Sequence, residues 1–308
     1  MSIFVPNHYN EFRCIAGDCK HNCCIGWEID IDYQTLQKYK CSEDDIGERI
    51  RKNISCCGDA YCFTLDANER CPMLNENGLC DIIIELGEDA LCEICTEHPR
   101  FRNDFTHFTE KGIGLCCEQA ARIVLTHTDA FSLICSDGSF LPRLTDHEKI
   151  IFELRESSFA ILRDRSKSVK QRFELLAEEY GFSLSEMRLE KIRPLFLSLE
   201  RLDERWTHIL NSAEEDHSFL ENDTFAIAFE QLACYFIYRH FMAAVFDGDS
   251  LSKVRFCLAG CILIACICAG QVRENGKISI DDIIEYVRMF SCETEYSEEN
   301  MQALFELI

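Results

Sequence analysis

Basic residues are scarce in this chain. Its 31 Lys and Arg face 54 Asp and Glu, a net charge of −23. The deficit is spread, −11 over residues 1–135 and −12 over 136–308, so it is not an acidic tail. A surface of this sign repels phosphate backbones, and nucleic acid is not an expected partner; it attracts lysine-rich partners, and it also serves plain solubility. No apolar run is long enough for a bilayer. The longest, Phe256–Gly270, has 15 residues between Arg255 and Arg273, where a spanning helix needs about 20. It reads as a buried core helix, and no membrane association is expected. Met1–His8 has neither a basic n-region nor an apolar h-region, so no signal peptide is visible and a cytoplasmic location is expected. The familiar catalytic loops are missing as well. There is no P-loop, no H-E-x-x-H, no G-x-S-x-G and no C-x-x-x-C-x-x-C; Gly112-Ile113-Gly114 is only a fragment of a dinucleotide loop. No fixed-period repeat, low-complexity segment or alternating strand run stands out.

Cysteine is what the chain has in excess. It contains 21, and 15 of them lie at or before Cys135. A disulfide framework suits short secreted proteins, whereas this chain has 308 residues, an odd cysteine total and no visible leader. Reduced thiolates acting as ligands fit better. Cys14, Cys19, Cys23 and Cys24 fall within eleven residues. Cys92 and Cys95 form C-x-x-C, a two-ligand bite for zinc or iron, and Cys71 and Cys80 bracket a turn at Asn77-Gly78 that would bring them together. With Cys117 these make nine candidate metal ligands. Thiolate sites accept Zn²⁺, iron–sulfur clusters or Cu(I), and spacing alone does not choose among them. A lone cysteine is more often a buried free thiol. That reading is kept for Cys234, Cys257, Cys261, Cys266, Cys268 and Cys292, while Cys41, Cys56, Cys57 and Cys62 fit either role. His98 and His107 near the cysteines are possible ligands but read more simply as hydrogen-bonded or surface residues.

The composition, 47% hydrophobic over 308 residues, supports a folded core in one large domain or two modest ones. The fold class expected is mainly α: an irregular cysteine-rich metal- or cluster-binding region, residues 1–135, packed on an α-helical bundle, residues 136–308. Short helices are expected near Asp32–Tyr39 and Glu118–Leu125, with turns at Gly58-Asp59, Asn75–Gly78 and Lys111-Gly112. A segment like this buries little apolar surface, and a metal centre would supply its cross-links. From Thr145 the texture changes. Thr145-Asp146-His147-Glu148 and Ser183-Leu184-Ser185-Glu186 are capping-box patterns before helically spaced apolar residues. Helices are expected over Thr224–Phe246, over Leu251–Ala269 with a stop at Gly270, from Ser279, and after Ser297, six or seven in all.

At the cysteines the chain resembles the flagellin lysine-N-methylase (FliB-like) family, which carries a cysteine cluster of the YkgJ type. The matching elements are Phe12-x-Cys14, Cys19, Cys23-Cys24-x-Gly26-Trp27 and Ile29-x-Ile31-Asp32. They continue with Cys71-Pro72-x-Leu74, Gly78-Leu79-Cys80, Glu85-Leu86-Gly87, Leu91-Cys92-x-x-Cys95 and Pro99-Arg100, and end with Leu115-Cys116-Cys117 and Ala120-Ala121-Arg122. The resemblance covers roughly residues 8–125, and the helical remainder shows no matching motif. Where the family pattern has Ser-Cys-Pro-Glu this chain has Cys116-Cys117-Glu118-Gln119, so Cys117 aligns as ligand and Cys116 at the Ser position.

The resemblance implies methyl transfer from S-adenosylmethionine to lysine ε-amino groups of flagellin, and a cysteine-bound [4Fe–4S] cluster as cofactor, with zinc as the alternative. Lysine is an ammonium at pH 7, so polar methyl transfer needs a desolvated site or a base. Glu28, Asp30, Asp32 and Tyr33 are candidate helpers, each also readable as a solvated surface group. Arg100 is a candidate for holding the donor's carboxylate and equally for a structural salt bridge; Trp27 is a candidate for stacking on its adenine or capping the cluster, and equally for a core position. The competing function is a non-catalytic zinc- or iron-binding module whose helices bind a partner.

Overall fold

The computed structural model describes residues 2–58, 60–135, 143–221 and 223–308. These form two compact units, one from Arg13 to Phe101 and one from the residues up to Phe12 together with Arg102–Ile308. Strand β1 (Ser2–Pro6) opens the chain and belongs to the second of these.

The Arg13–Phe101 unit is built on short elements. Strand β2 (Asp30–Ile31) leads into α1 (Tyr33–Cys41) and α2 (Asp45–Lys52), and a hairpin of β3 (Ile54–Cys57) and β4 (Ala60–Phe63) follows. The three strands pair in the order β2-β4-β3. Gly58 turns the hairpin with φ +63°; Asp59 of the expected turn lies outside the described residues. Helices α3 (Asp81–Leu86) and α4 (Glu93–Glu97) complete the unit. Its small core joins Ile29, Ile31, Leu36, Tyr39, Phe63 and Met73 with Cys71 and Cys92.

The second unit has a four-stranded sheet, β5 (Arg100–Asp104), β6 (Phe108–Ile113), β1 and β7 (Leu133–Cys135), in the order β5-β6-β1-β7. β1 runs parallel to β6, with Phe4 opposite Glu110, and antiparallel to β7. Lys111-Gly112, expected as a turn, therefore lies inside a strand. The reason is tertiary: β6 is an inner strand, between β5 and β1, and it presents Glu110, fully buried, to an equally buried Arg155 through two bonds of 2.8 and 2.7 Å. The division into units also departs from a boundary at residue 135: Glu110 pairs with Arg155 and ties the sheet to the helices that follow, and β1 joins them through its pairing with β6; residues 136–142 at that boundary lie outside the described residues.

Helices make up the rest, and the fold is mainly α as expected. They are α5 (Glu118–Thr126), α6 (Asp146–Leu162), α7 (Val169–Glu179), α8 (Leu189–Ser198), α9 (Glu204–Ser212), α10 (Ser218–Glu221), α11 (Ala226–His240), α12 (Ala244–Asp247), α13 (Ser250–Asn275), α14 (Ile280–Phe290) and α15 (Glu298–Leu307). Capping boxes at Thr145, Ser168, Ser183 and Ser279 are all formed. The bundle has more and shorter helices than six or seven. The expected Thr224–Phe246 helix is broken by a 3-10 turn at Phe241–Ala243. α13 continues past Gly270 and stops at Gly276, in the left-handed region at φ +76°. By length and composition α13 is apolar enough to cross a membrane, yet 89% of its apolar window is buried inside the protein. It packs against α8, α9, α11 and α14.

Candidate metal centre

Backbone pairing places the sulfurs of the Arg13–Phe101 unit. The Cys71 N–H donates to the Cys24 carbonyl at 2.8 Å, and Ile25 bridges to Arg70 beside it. Gly26, at φ +77°, lets the chain turn there and donates its N–H to Glu69 O. Asn22 fixes the approach. Its Oδ1 accepts from Cys24 N and its Nδ2 donates to Gly78 O, both at 2.9 Å, tying the double-cysteine loop to the Asn75–Gly78 turn. In that turn Asn75 Oδ1 accepts from Asn77 N and Leu79 N, and Leu74 bridges to Cys80. Arg49 closes the frame by donating to Asp81 Oδ2 (2.5 Å) and Pro72 O (2.6 Å).

Six thiols become neighbours as a result. Cys92 Sγ and Cys95 Sγ stand 3.4 Å apart. Cys23 and Cys24 are hydrogen-bonded through their side chains. Its bond to Cys24 brings Cys23 down to about 7, and its bond to Cys95 lowers Cys92, while Cys24 and Cys95 are raised. Burial pushes Cys71 up to about 11 and also raises Cys80. Cross-influences link the pairs: Cys24 feels Cys71 and Cys80, Cys95 feels Cys23 and Cys24, and Cys71 feels Cys92. Among the described residues no three His, Cys, Asp or Glu side chains stand at metal-ligating positions. The sulfurs are a neighbourhood of soft donors without a finished shell. The donor chemistry fits a thiolate-bound metal or iron–sulfur cluster, since thiolates select such centres and four suffice.

The other candidates are placed differently. Cys14 is exposed and accepts from Ala16 N at 3.4 Å; Cys19 is half-buried and donates to His21 O at 3.1 Å. Cys117 stands at the N-terminal boundary of α5 in the other unit, without a side-chain capping bond among the described residues. Cys62 is disulfide-bonded, against the expectation of a fully reduced set. Asp32 accepts from Thr35 N and from Glu93 N, both at 2.9 Å, so one carboxylate caps α1 and holds the start of the C-x-x-C helix. Burial opposes this charge, but those N–H bonds outweigh it and lower its pKa. Glu28 and Asp30 are exposed and Tyr33 is 75% exposed. Trp27 packs at a tilt on His98, 6.4 Å between ring centres. Arg100 follows α4 and donates to Thr96 O at 3.5 Å. His107 is exposed in the other unit.

Residue types alone gave no reason to single out Tyr39, Asn22 or Arg49. Tyr39 is buried, donates to Ala90 O at 2.7 Å, and lies near enough to Cys92, Cys95 and Cys80 to feel their charge. Asn22 had one available signal, its place directly before Cys23.

A family model described as the FliB lysine N-methylase C-terminal domain matches residues 149–308. The chain belongs to the FliB-like family. The match falls on the helices, where no motif was legible, and does not reach the nine candidate ligand cysteines. Curated relatives agree. The lysine-N-methylase of Salmonella typhimurium is 28% identical over 141 residues, 43% of this chain and 35% of that protein. The flagellar biosynthetic protein FliU of Salmonella muenchen is also 28% identical over 141 residues, 43% of this chain and 82% of FliU. The aligned part thus spans about a third of the lysine-N-methylase. No solved structure matches.

The FliB-like segment holds a buried polar cluster of its own. A π-helical turn, Ser291–Glu295, presents Glu295 to His240 Nε2 and Ser291 Oγ, both at 2.7 Å, to the Tyr235 hydroxyl at 3.3 Å and to Arg239 at 3.4 Å. Burial opposes the Glu295 charge, but Arg239 and His240 hold its carboxyl below the ordinary range. Every oxygen of that carboxylate is engaged, which suits a structural anchor.

Proposed function

We propose that this protein is a protein lysine N-methyltransferase, using S-adenosylmethionine to methylate ε-amino groups of flagellin and depending on a cysteine-bound centre, a [4Fe–4S] cluster in the first reading. The observation that carries it is the gathering of Cys23, Cys24, Cys71, Cys80, Cys92 and Cys95 in a chain of FliB-like family. When bound, S-adenosylmethionine supplies an electrophilic methyl group on a sulfonium sulfur. The acceptor must present a neutral amine, because an ammonium has no lone pair to attack carbon. Asp32 does not take that proton, since both of its oxygens serve backbone N–H groups. Asp30 and Tyr33 are open to solvent and remain the candidates for relaying it. Trp27 and Arg100 are assigned to the donor's adenine and carboxylate.

The test is incubation of anaerobically purified protein with flagellin and labelled S-adenosylmethionine, followed by peptide mapping. Label on lysine with wild type and none with Cys23→Ala is the expected result. Methylation that survives loss of the centre removes its role. A colourless zinc protein without transfer returns the non-catalytic module, which the two closely paired thiol sets also suit.

A further inference from the structure

Helices α3 and α4 start at clustered thiols, with Cys80 and Cys92 as their N-caps. In α3 the burial is one-sided. Ile82 is 2% exposed and faces the core, whereas Ile83 and Ile84 are 41% and 57% exposed. In α4, Ile94 sits between Cys92 and Cys95 and is 47% exposed. Aliphatic side chains this open, each within four residues of a clustered sulfur, leave about half of their surface uncovered by the fold. They are interleaved with charge of one sign: Asp81–Glu97 contains six Asp and Glu and no Lys or Arg, and Glu85, Glu88 and Glu93 are exposed. Exposed apolar groups that recur along one short segment mark contact sites, and the sign of the surrounding charge selects what binds.

We propose that the α3–α4 surface docks a segment of the acceptor polypeptide that carries both aliphatic and lysine side chains. The isoleucines would cover its apolar stripe, and the glutamates would pair with its ammonium groups. Carboxylates favour the charged form of an amine. The lysines held here are therefore docking residues, and the amine that reacts lies elsewhere. This inference rests on the methylase reading for the identity of the partner, although not for the binding itself.

The experiment uses the full chain and a labelled synthetic lysine–leucine amphipathic peptide, with affinity read by fluorescence anisotropy. The control peptide has glutamate in place of lysine. Ile84→Ser/Ile94→Ser and Glu85→Lys/Glu88→Lys are each expected to weaken binding about tenfold or more with unchanged far-ultraviolet circular dichroism. Added salt is expected to weaken wild-type binding but leave a residue of it, the apolar share. Equal binding of the glutamate peptide, or unchanged affinity in both variants, overturns the proposal. So does self-association of the free protein that Ile84→Ser/Ile94→Ser abolishes, since the surface then serves a second copy. Methyl transfer by wild type is scored separately. Binding without transfer leaves docking intact and removes the methylase reading; transfer with affinity unchanged in the variants does the reverse.

Discussion

Asp32 commits both carboxylate oxygens to backbone N–H groups, and that decides its role better than its residue type does. Asp32→Ala removes the cap of α1 and the hold on Glu93 together. It is expected to cost about 1–3 kcal/mol in urea unfolding, with Asp32→Asn losing less. His8 makes a different prediction. It is 2% exposed, its Nδ1 has no hydrogen-bond partner among the described residues, and its ring stands 5.4 Å from that of His127. Burial first, and His127 second, lower it from 6.5 to about 4. A base whose folded value lies below its unfolded value binds more protons unfolded. Its stability contribution is therefore complete above pH 6.5 and is lost as pH falls toward 4, at most ~3 kcal/mol. Unfolding midpoints at pH 7 and pH 5 should separate less in His8→Phe than in wild type. Equal separations would show that His8 does not govern that window.

Among the elements, α13 carries the clearest steric demand. A Cβ built on Gly270 would meet Ser212 O at 2.0 Å, at the C-terminal end of α9. The glycine is there for close approach, which is why the helix passes through it instead of ending. Gly270→Ala should force the two helices apart and cost about 1–3 kcal/mol or more by urea unfolding, whereas Ala at Gly276, which touches nothing, should cost about 1 kcal/mol through its positive φ. The capping boxes at Thr145 and Ser183 and the helix start at Ser279 were legible because a cap is a local device, four residues long. The sheet was not. β1 finds β6 more than a hundred residues away, and Lys111-Gly112 carries turn composition inside a strand that tertiary pairing imposes. The site divides in the same way. Sulfur density marked Cys23, Cys24, Cys92 and Cys95, and the turn at Asn77-Gly78 pointed to Cys71 with Cys80. The hydrogen bonds of Asn22 and Arg49 that hold these loops join residues 56 and 32 positions apart, and no local pattern records them.

At the level of the whole molecule, the two units keep their shape by different means. The helical unit has a deep core in which Trp206, Phe236, Phe256 and Phe290 are fully buried or nearly so. The Arg13–Phe101 unit has short elements and a core of about a dozen side chains, two of them cysteines. Its α3 and α4 are six and five residues long, too short to persist without tertiary support. Bound metal or cluster would fasten the loops that carry these thiols, and its binding free energy would then be folding free energy for this unit alone. Loading the purified protein and then stripping it anaerobically with chelator should raise backbone hydrogen exchange across residues 13–101, while the buried amides of α11 and α13 keep their protection. Exchange that rises equally in both units would mean that they unfold as one. Exchange that changes in neither would mean that side-chain packing and the Asn22 and Arg49 clamps already hold the thiols in place, and that the centre contributes chemistry without contributing structure.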